Sequence, residues 1–108
     1  MVDQGSIIKM DFEPHVGHEQ AGYRPALVVS NHMFNAKTNT AIVCPITHTD
    51  NHFPLHVHLD ERTQVDGVIL CEQVKSLDIT SRGFTVVEAV PDDILQQVLD
   101  IVIAQIES

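Results

Sequence analysis

Two runs of this chain, residues 24–30 (RPALVVS) and 40–47 (TAIVCPIT), are apolar at successive rather than alternating positions through their centres. Side chains of a strand point to opposite faces at each step. Apolar runs this short therefore read as strands buried on both faces, which need cover above and below. Pro25 stands near the start of the first run, where a strand tolerates the missing N–H.

Shorter strands surround these two. Residues 6–12 carry apolar side chains at 7, 8, 10 and 12, a half-buried pattern. Residues 55–59 alternate, placing His56 and His58 on one face and Leu55, Val57 and Leu59 on the other. Residues 67–74 form a fifth strand, and 84–89 a sixth after the turn 81–83. A helical turn is expected over 31–35, followed by a turn at 37–39. Two polar stretches, 13–23 (EPHVGHEQAGY) and 48–54, read as long loops, a class that is usually functional in a small domain. The chain ends in a helix over 91–107. Its first position is suited to Pro91, its first turn holds Asp92 and Asp93, and its apolar stripe comprises Ile94, Leu95, Val98, Leu99, Val102, Ile103 and Ile106. Five or six short strands and a closing helix suggest a mainly β fold, a small curved sheet or barrel, as one domain over residues 1–108.

Composition limits the functions open to such a fold. No run approaches a membrane span, and the N-terminus lacks the pattern of a signal peptide, so a cytoplasmic protein is expected. Cys44 and Cys71 each sit in an apolar run and read as reduced core residues. Six Lys and Arg stand against fifteen Asp and Glu, a formal net charge of −9. A polyanion-binding protein ordinarily presents a basic surface, so charge alone argues against nucleic acid. Glycine-rich phosphate loops, GxSxG, HExxH and paired CxxC motifs are all missing.

Three features remain: the loop leading to Arg24, the strand end at Thr47, and the segment Glu72-Gln73-Val74-Lys75-Ser76. Arg24 stands where a loop enters a buried strand, a placement that suits a guanidinium clamp on an oxyanion or phosphate. A structural pairing with Glu19 or Asp11 is the other reading of it. Thr47 is either a hydrogen-bond donor to the same anion or an ordinary turn residue. His56-Val57-His58 puts two imidazoles on one strand face, yet no spaced set of partner ligands accompanies them, so neither metal nor cofactor is expected.

The segment GSIIKMDFEPHVGHEQAGYRPALVVSN resembles the opening of MazF/PemK-type toxins. Gly17, Glu19, Gln20, Gly22, Arg24 and Pro25 match that family's G-x-E-Q-x-G-x-R-P motif. VCPIT resembles its third strand with the terminal Thr, and DGVILCEQVKSLD a later segment, so the likeness spans nearly the whole chain. It implies an SH3-like closed barrel of the MazF, Kid and CcdB kind, assembled as a homodimer. It further implies metal-independent cleavage of single-stranded RNA, often messenger RNA, and neutralisation by a cognate antitoxin. Family active-site positions correspond to Arg24 and Thr47, with Glu19 and Gln20 on the preceding loop. His18 occupies the place of a loop histidine used by Kid-like toxins. That branch also uses an Arg and an Asp where this chain has Leu70 and Glu72. RNA contacts are assigned to Gln20, His48, His52, Glu72, Gln73 and Lys75.

Cleavage by the 2′-hydroxyl needs a base, an acid and stabilisation of the phosphorane. Arg24 suits the last role, worth about 3 kcal/mol, with Thr47 holding the phosphate, Glu19 as base and His18 as acid. A CcdB-type gyrase poison and a catalytically silent homologue are the rival readings. Family members commonly carry lysines in the loops flanking the site, where this chain has His48 and His52. RNA affinity at constant salt is therefore expected to be weaker at pH 8 than at pH 6, and a binding isotherm that does not move across that range removes the idea.

Overall fold

A computed structural model describes residues 2–13, 17, 22–50 and 52–107. Its strands are β1 (Ser6–Asp11), β2 (Tyr23–Val28), β3 (Ala41–Thr47), β4 (His56–His58), β5 (Val68–Leu70), β6 (Lys75–Leu77) and β7 (Phe84–Ala89). Its helices are α1 (His32–Thr38), α2 (Ile79–Arg82) and α3 (Asp92–Ile106). All pairings are antiparallel, in the order β4-β5-β3-β2-β1-β7, with β6 also on β3.

The both-faces reading of β2 and β3 holds. Leu27, Val29, Cys44 and Ile46 face one core, which α3 covers with Ile94, Val98 and Val102. Ala26, Val28, Ala41 and Val43 face a second core with Ile8, Met10, Phe12 and Ile79. Burying each of the three α3 residues is worth about 1.5–3 kcal/mol relative to exposure. The helix starts one residue later than the periodicity suggests, with Pro91 as its cap. Ile103 and Ile106, expected on the buried stripe, are exposed, because the last turn of the helix faces the 3-10 turn through Val102 and Gln105, the latter donating to the Cys71 carbonyl (3.0 Å).

The expected fifth strand over 67–74 is broken. One edge of β3 pairs with β5 at Ile46 and Thr47 and with β6 at Ala41, Ile42 and Val43. The register moves by three residues between the two pairings, and the 3-10 turn Cys71–Gln73 takes them up. Cys71 faces Cys44 at this break. Their contact and burial push the Cys44 thiol well above its ordinary range, so it stays protonated in the core.

Closure of the barrel also differs from a continuous ladder. Among the described residues no ladder joins β4 to β7. Glu88 of β7 bridges the seam instead, its carboxylate accepting from the backbone N–H groups of Gln64 (3.0 Å) and Val65 (2.9 Å). Beyond it, Arg62 clamps Asp93 at the start of α3 through two bonds of 2.8 and 3.0 Å, while also holding Asp60.

The helical turn after β2 is longer than expected, so Lys37 and Thr38 lie inside α1 rather than in a turn. Asn31 caps its start by accepting from the Phe34 N–H (2.8 Å), and Asn39 ends it in the left-handed region (φ 56°). Between them Asn35 is fully buried. Its Nδ2 donates to the carbonyls of Val2 (2.9 Å) and Ser30 (3.2 Å), and its Oδ1 accepts from the Ser30 hydroxyl. That hydroxyl in turn accepts from the Ile42 N–H (2.8 Å). One amide thus joins the N-terminal segment, the end of β2 and the start of β3. Asn35→Ala leaves several buried polar groups unpaired and is expected to cost about 3 kcal/mol. Urea denaturation measures it, and a loss below about 1 kcal/mol would show that the network is dispensable.

Candidate functional site

The β2–β3 ladder pairs Val28 with Val43, Leu27 with Cys44 and Ala26 with Pro45, and stops there. Pro25, the next residue along β2, explains the stop: it follows Val29 and Leu27 on the edge that faces β3, and it has no N–H to donate there. Carrying the same register two residues further sets Arg24 opposite Thr47, at the rim where the strands part. A pocket of about 360 Å³ opens between them, lined by Tyr23, Arg24, Pro25, Thr47, His48 and Asp66 among others.

The base of the loop before Arg24 is tied down locally. The Phe12 N–H donates to the Gly22 carbonyl (3.0 Å), and the Gly22 N–H to the Glu13 carboxylate (3.1 Å). Arg82 donates to the carbonyls of Asp11 (3.2 Å) and Glu13 (2.6 Å) from the far side. His18, Glu19 and Gln20 themselves lie outside the described residues.

Thr47 accepts from the Thr49 N–H at 3.2 Å, which leaves its own hydroxyl proton to donate. Its backbone is fixed by Gly67. A Cβ at that glycine would stand 2.4 Å from the Thr47 carbonyl oxygen, and its φ is +118°. The neighbours of both residues also meet: His48 Nε2 lies 2.5 Å from Asp66 Oδ1. This contact holds the Asp66 carboxyl below the usual carboxylate range.

The remaining assigned residues gather elsewhere. His56 and His58 share a strand face as the alternation suggests, and both reach Asp50: His56 Nδ1 at 3.4 Å and His58 Nε2 at 3.1 Å. His52 Nδ1 stands 3.9 Å from the same carboxylate, and the His52 N–H donates to it at 2.8 Å. That backbone bond, then His56 and the charges of His58 and His52, lowers the Asp50 carboxyl. His56 is not solvated: its side chain is 4% exposed, under the edge of Phe53, with Nε2 3.1 Å from Glu72 Oε2. Glu72 and Gln73 belong to the 3-10 turn rather than a strand, and the Lys75 ammonium lies 5.3 Å over the Phe12 ring. None of Glu72, Gln73, Lys75 or His52 lines the Arg24 pocket. No group of three or more His, Cys, Asp or Glu among the described residues is arranged to hold a metal ion.

Sequence reasoning missed both Asp66 and Asp50. The clustering of Asp50 with three histidines within nine positions was the available signal for the second. Asp66 gave none, because only the β3–β5 pairing brings it beside His48.

A family model described as PemK-like, MazF-like toxin of type II toxin-antitoxin system matches residues 3–106. The chain belongs to this family. It is 43% identical over 83 residues to the endoribonuclease toxin MazF of Escherichia coli K12, which spans 77% of this chain and 74% of that protein. It is 34% identical over 102 residues to the endoribonuclease PemK of Escherichia coli, across 91% of this chain and 77% of PemK. The fold matches the crystal structure of MazF from Deinococcus radiodurans with a TM-score of 0.92, at 34% identity, covering 97% and 96% of the two chains. MazF in a MazE–MazF complex from the same organism matches at 0.85, with 34% identity and coverage of 97% and 95%. The MazF-like fold is thus mainly β, a barrel-like antiparallel sheet with a C-terminal helix.

Within this family member, the approach of Gly67 to Thr47 leaves no room for a side chain. Gly67→Ala is expected to lower the unfolding free energy by about 2 kcal/mol or more, through backbone strain at positive φ together with the clash. A variant as stable as wild type in urea would overturn the close approach.

Proposed function

We propose that the chain is the toxin of a type II toxin-antitoxin pair and acts as a metal-independent, sequence-specific endoribonuclease on single-stranded RNA, messenger RNA above all. The observation that carries this reading is the meeting of Arg24 and Thr47 in one pocket at the parted ends of β2 and β3. The naming of its relatives as endoribonucleases supports it.

The 2′-hydroxyl attacks its own phosphate, forming a cyclic phosphate and releasing a 5′-hydroxyl. Arg24 holds the phosphorane charge in a bidentate clamp, since a guanidinium matches two phosphate oxygens and stays protonated. Thr47 donates its free hydroxyl proton to the same phosphate. Glu19 accepts the 2′-hydroxyl proton, and an imidazole supplies the leaving oxygen with one, His18 being the candidate on the loop. Gln20, His48, His52, Glu72, Gln73 and Lys75 contact the RNA around this centre.

The toxin works as a cytoplasmic homodimer, with RNA in a groove across the two-fold bounded by the loops around His18 and His52. The exposed Tyr23, Val86, Ile103 and Ile106 leave apolar surface for such contacts. No helix among the described residues is long and apolar enough to cross a membrane. A cognate antitoxin occludes the groove with a segment that folds on binding. Solved relatives include MazF bound to MazE, in keeping with such a partner. The acidity of this chain favours apolar contacts in that complex.

The same acidity favours one alternative, a silent homologue retained for protein binding. Incubation of a long single-stranded RNA with wild type and Arg24→Ala in excess EDTA separates the two. Discrete fragments from wild type are expected, with a loss of 10²-fold or more in the variant. Intact RNA with both proteins, or equal cutting by both, overturns the proposal.

A further inference from the structure

The pocket at Arg24 and Thr47 does not end at its far wall. A second cavity of about 290 Å³ adjoins it, reaching Lys9, Gln64, Val65 and Val87, and the two share Pro25, His48 and Asp66. The His48–Asp66 pair therefore forms the partition between them, exposed on both sides, with side-chain exposures of 78% and 80%. An imidazole in that position stands on the wall of the pocket that would take the scissile phosphate.

Its geometry is held by backbone, although both side chains are exposed. His48 directly follows the last residue of β3, and Asp66 directly precedes the glycine that packs on the Thr47 carbonyl. The β3–β5 register, Thr47 opposite Val68, sets the spacing of the two residues. The bond from Nε2 to Asp66 occupies one ring nitrogen and leaves Nδ1 to exchange a proton with a ligand. Carboxylates commonly orient a working imidazole in this way.

Resting on the ribonuclease reading above, we propose that His48, oriented by Asp66, is the general acid that protonates the leaving 5′-oxygen, the role the loop otherwise offers to His18. As the 2′-oxygen bonds to phosphorus, its proton passes to Glu19. As the bond from phosphorus to the 5′-oxygen breaks, that oxygen keeps the electron pair and takes the Nδ1 proton of His48. The products are the cyclic phosphate and a 5′-hydroxyl, and solvent returns the proton to the ring. The charged and titratable groups facing His48 are Asp66 from the β4–β5 connection, Arg24 and Tyr23 from β2, and Lys9 from β1 across the second cavity. Asp66 is a positioning residue in this scheme, while Arg24 and Lys9 set the local positive charge.

A leaving group that needs no proton isolates the step. Once the cut position is mapped on a long RNA, two short RNAs are compared in EDTA, one ordinary and one with sulfur in place of the scissile 5′-oxygen. His48→Gln is expected to cut ordinary RNA about 10²-fold more slowly than wild type. It should cut the sulfur-bridged RNA within a few-fold of wild type, because a thiolate leaves unprotonated. The fall in wild-type rate at alkaline pH should also disappear in His48→Gln. Asp66→Asn should show a smaller loss with the same selective recovery. An equal loss on both substrates makes His48 a binding or structural residue and overturns the proposal. Selective recovery by His18→Gln in its place assigns the donor to the loop and overturns it too. A wild-type protein inert on both RNAs removes the ribonuclease reading itself, and this proposal with it.

Discussion

Strand β3 is the element on which the rest of the molecule depends. It is buried on both faces and paired along both edges, with β2 on one side and β5 and β6 sharing the other. It joins the β1–β2 side of the sheet to the β4–β5 side and holds β6, and both cores include its side chains. The shared edge forces a three-residue change of register, hence the 3-10 turn at Cys71–Gln73. The end of the opposite edge, where Pro25 interrupts the ladder, is where the pocket opens. The residues proposed to act on RNA thus sit at the end of the most constrained strand, which favours precise placement over mobility.

Carboxylates organise much of the polar chemistry around this frame. Glu88 closes the barrel seam, Asp60 and Asp93 hold Arg62, Asp50 gathers three histidines, and Asp66 orients His48. Many of the acidic residues behind the charge of −9 therefore have assigned structural partners rather than forming a uniform repulsive surface. Arg62 and Arg82 are likewise committed to carboxylates and backbone carbonyls. Arg24 and Lys9 are the cations that line the two cavities on either side of His48 and Asp66.

Much of the fold was legible in the residues because the relevant signals are local. Unbroken apolar runs marked β2 and β3, alternation marked the face shared by His56 and His58, and the 3.6-residue stripe marked α3. The break in 67–74 was not legible. VILCEQV is continuously strand-like, and only the competing demands of two pairings on β3 show where it must kink. The burial of His56 escaped for a similar reason: alternation tells which side a residue points to, but not that Phe53 and Glu72 come from other segments to cover it. Residues 31–39 formed a helix rather than a turn because Asn31 and Asn39 cap it and Asn35 is buried beneath it.

By itself the sequence determined the family and the mainly β architecture with its closing helix, while Arg24 and Thr47 stood as the site that the family resemblance implies. These follow from motif order and hydrophobic period, which short stretches of chain carry. Only the tertiary structure decided that the barrel seam is bridged by Glu88, that His56 is enclosed between two carboxylates, and that His48 meets Asp66 on the pocket wall. Each of those contacts joins residues separated by at least six positions, and most by sixteen or more. Their formation depends on strand register and loop closure, which the whole fold sets and no local pattern encodes.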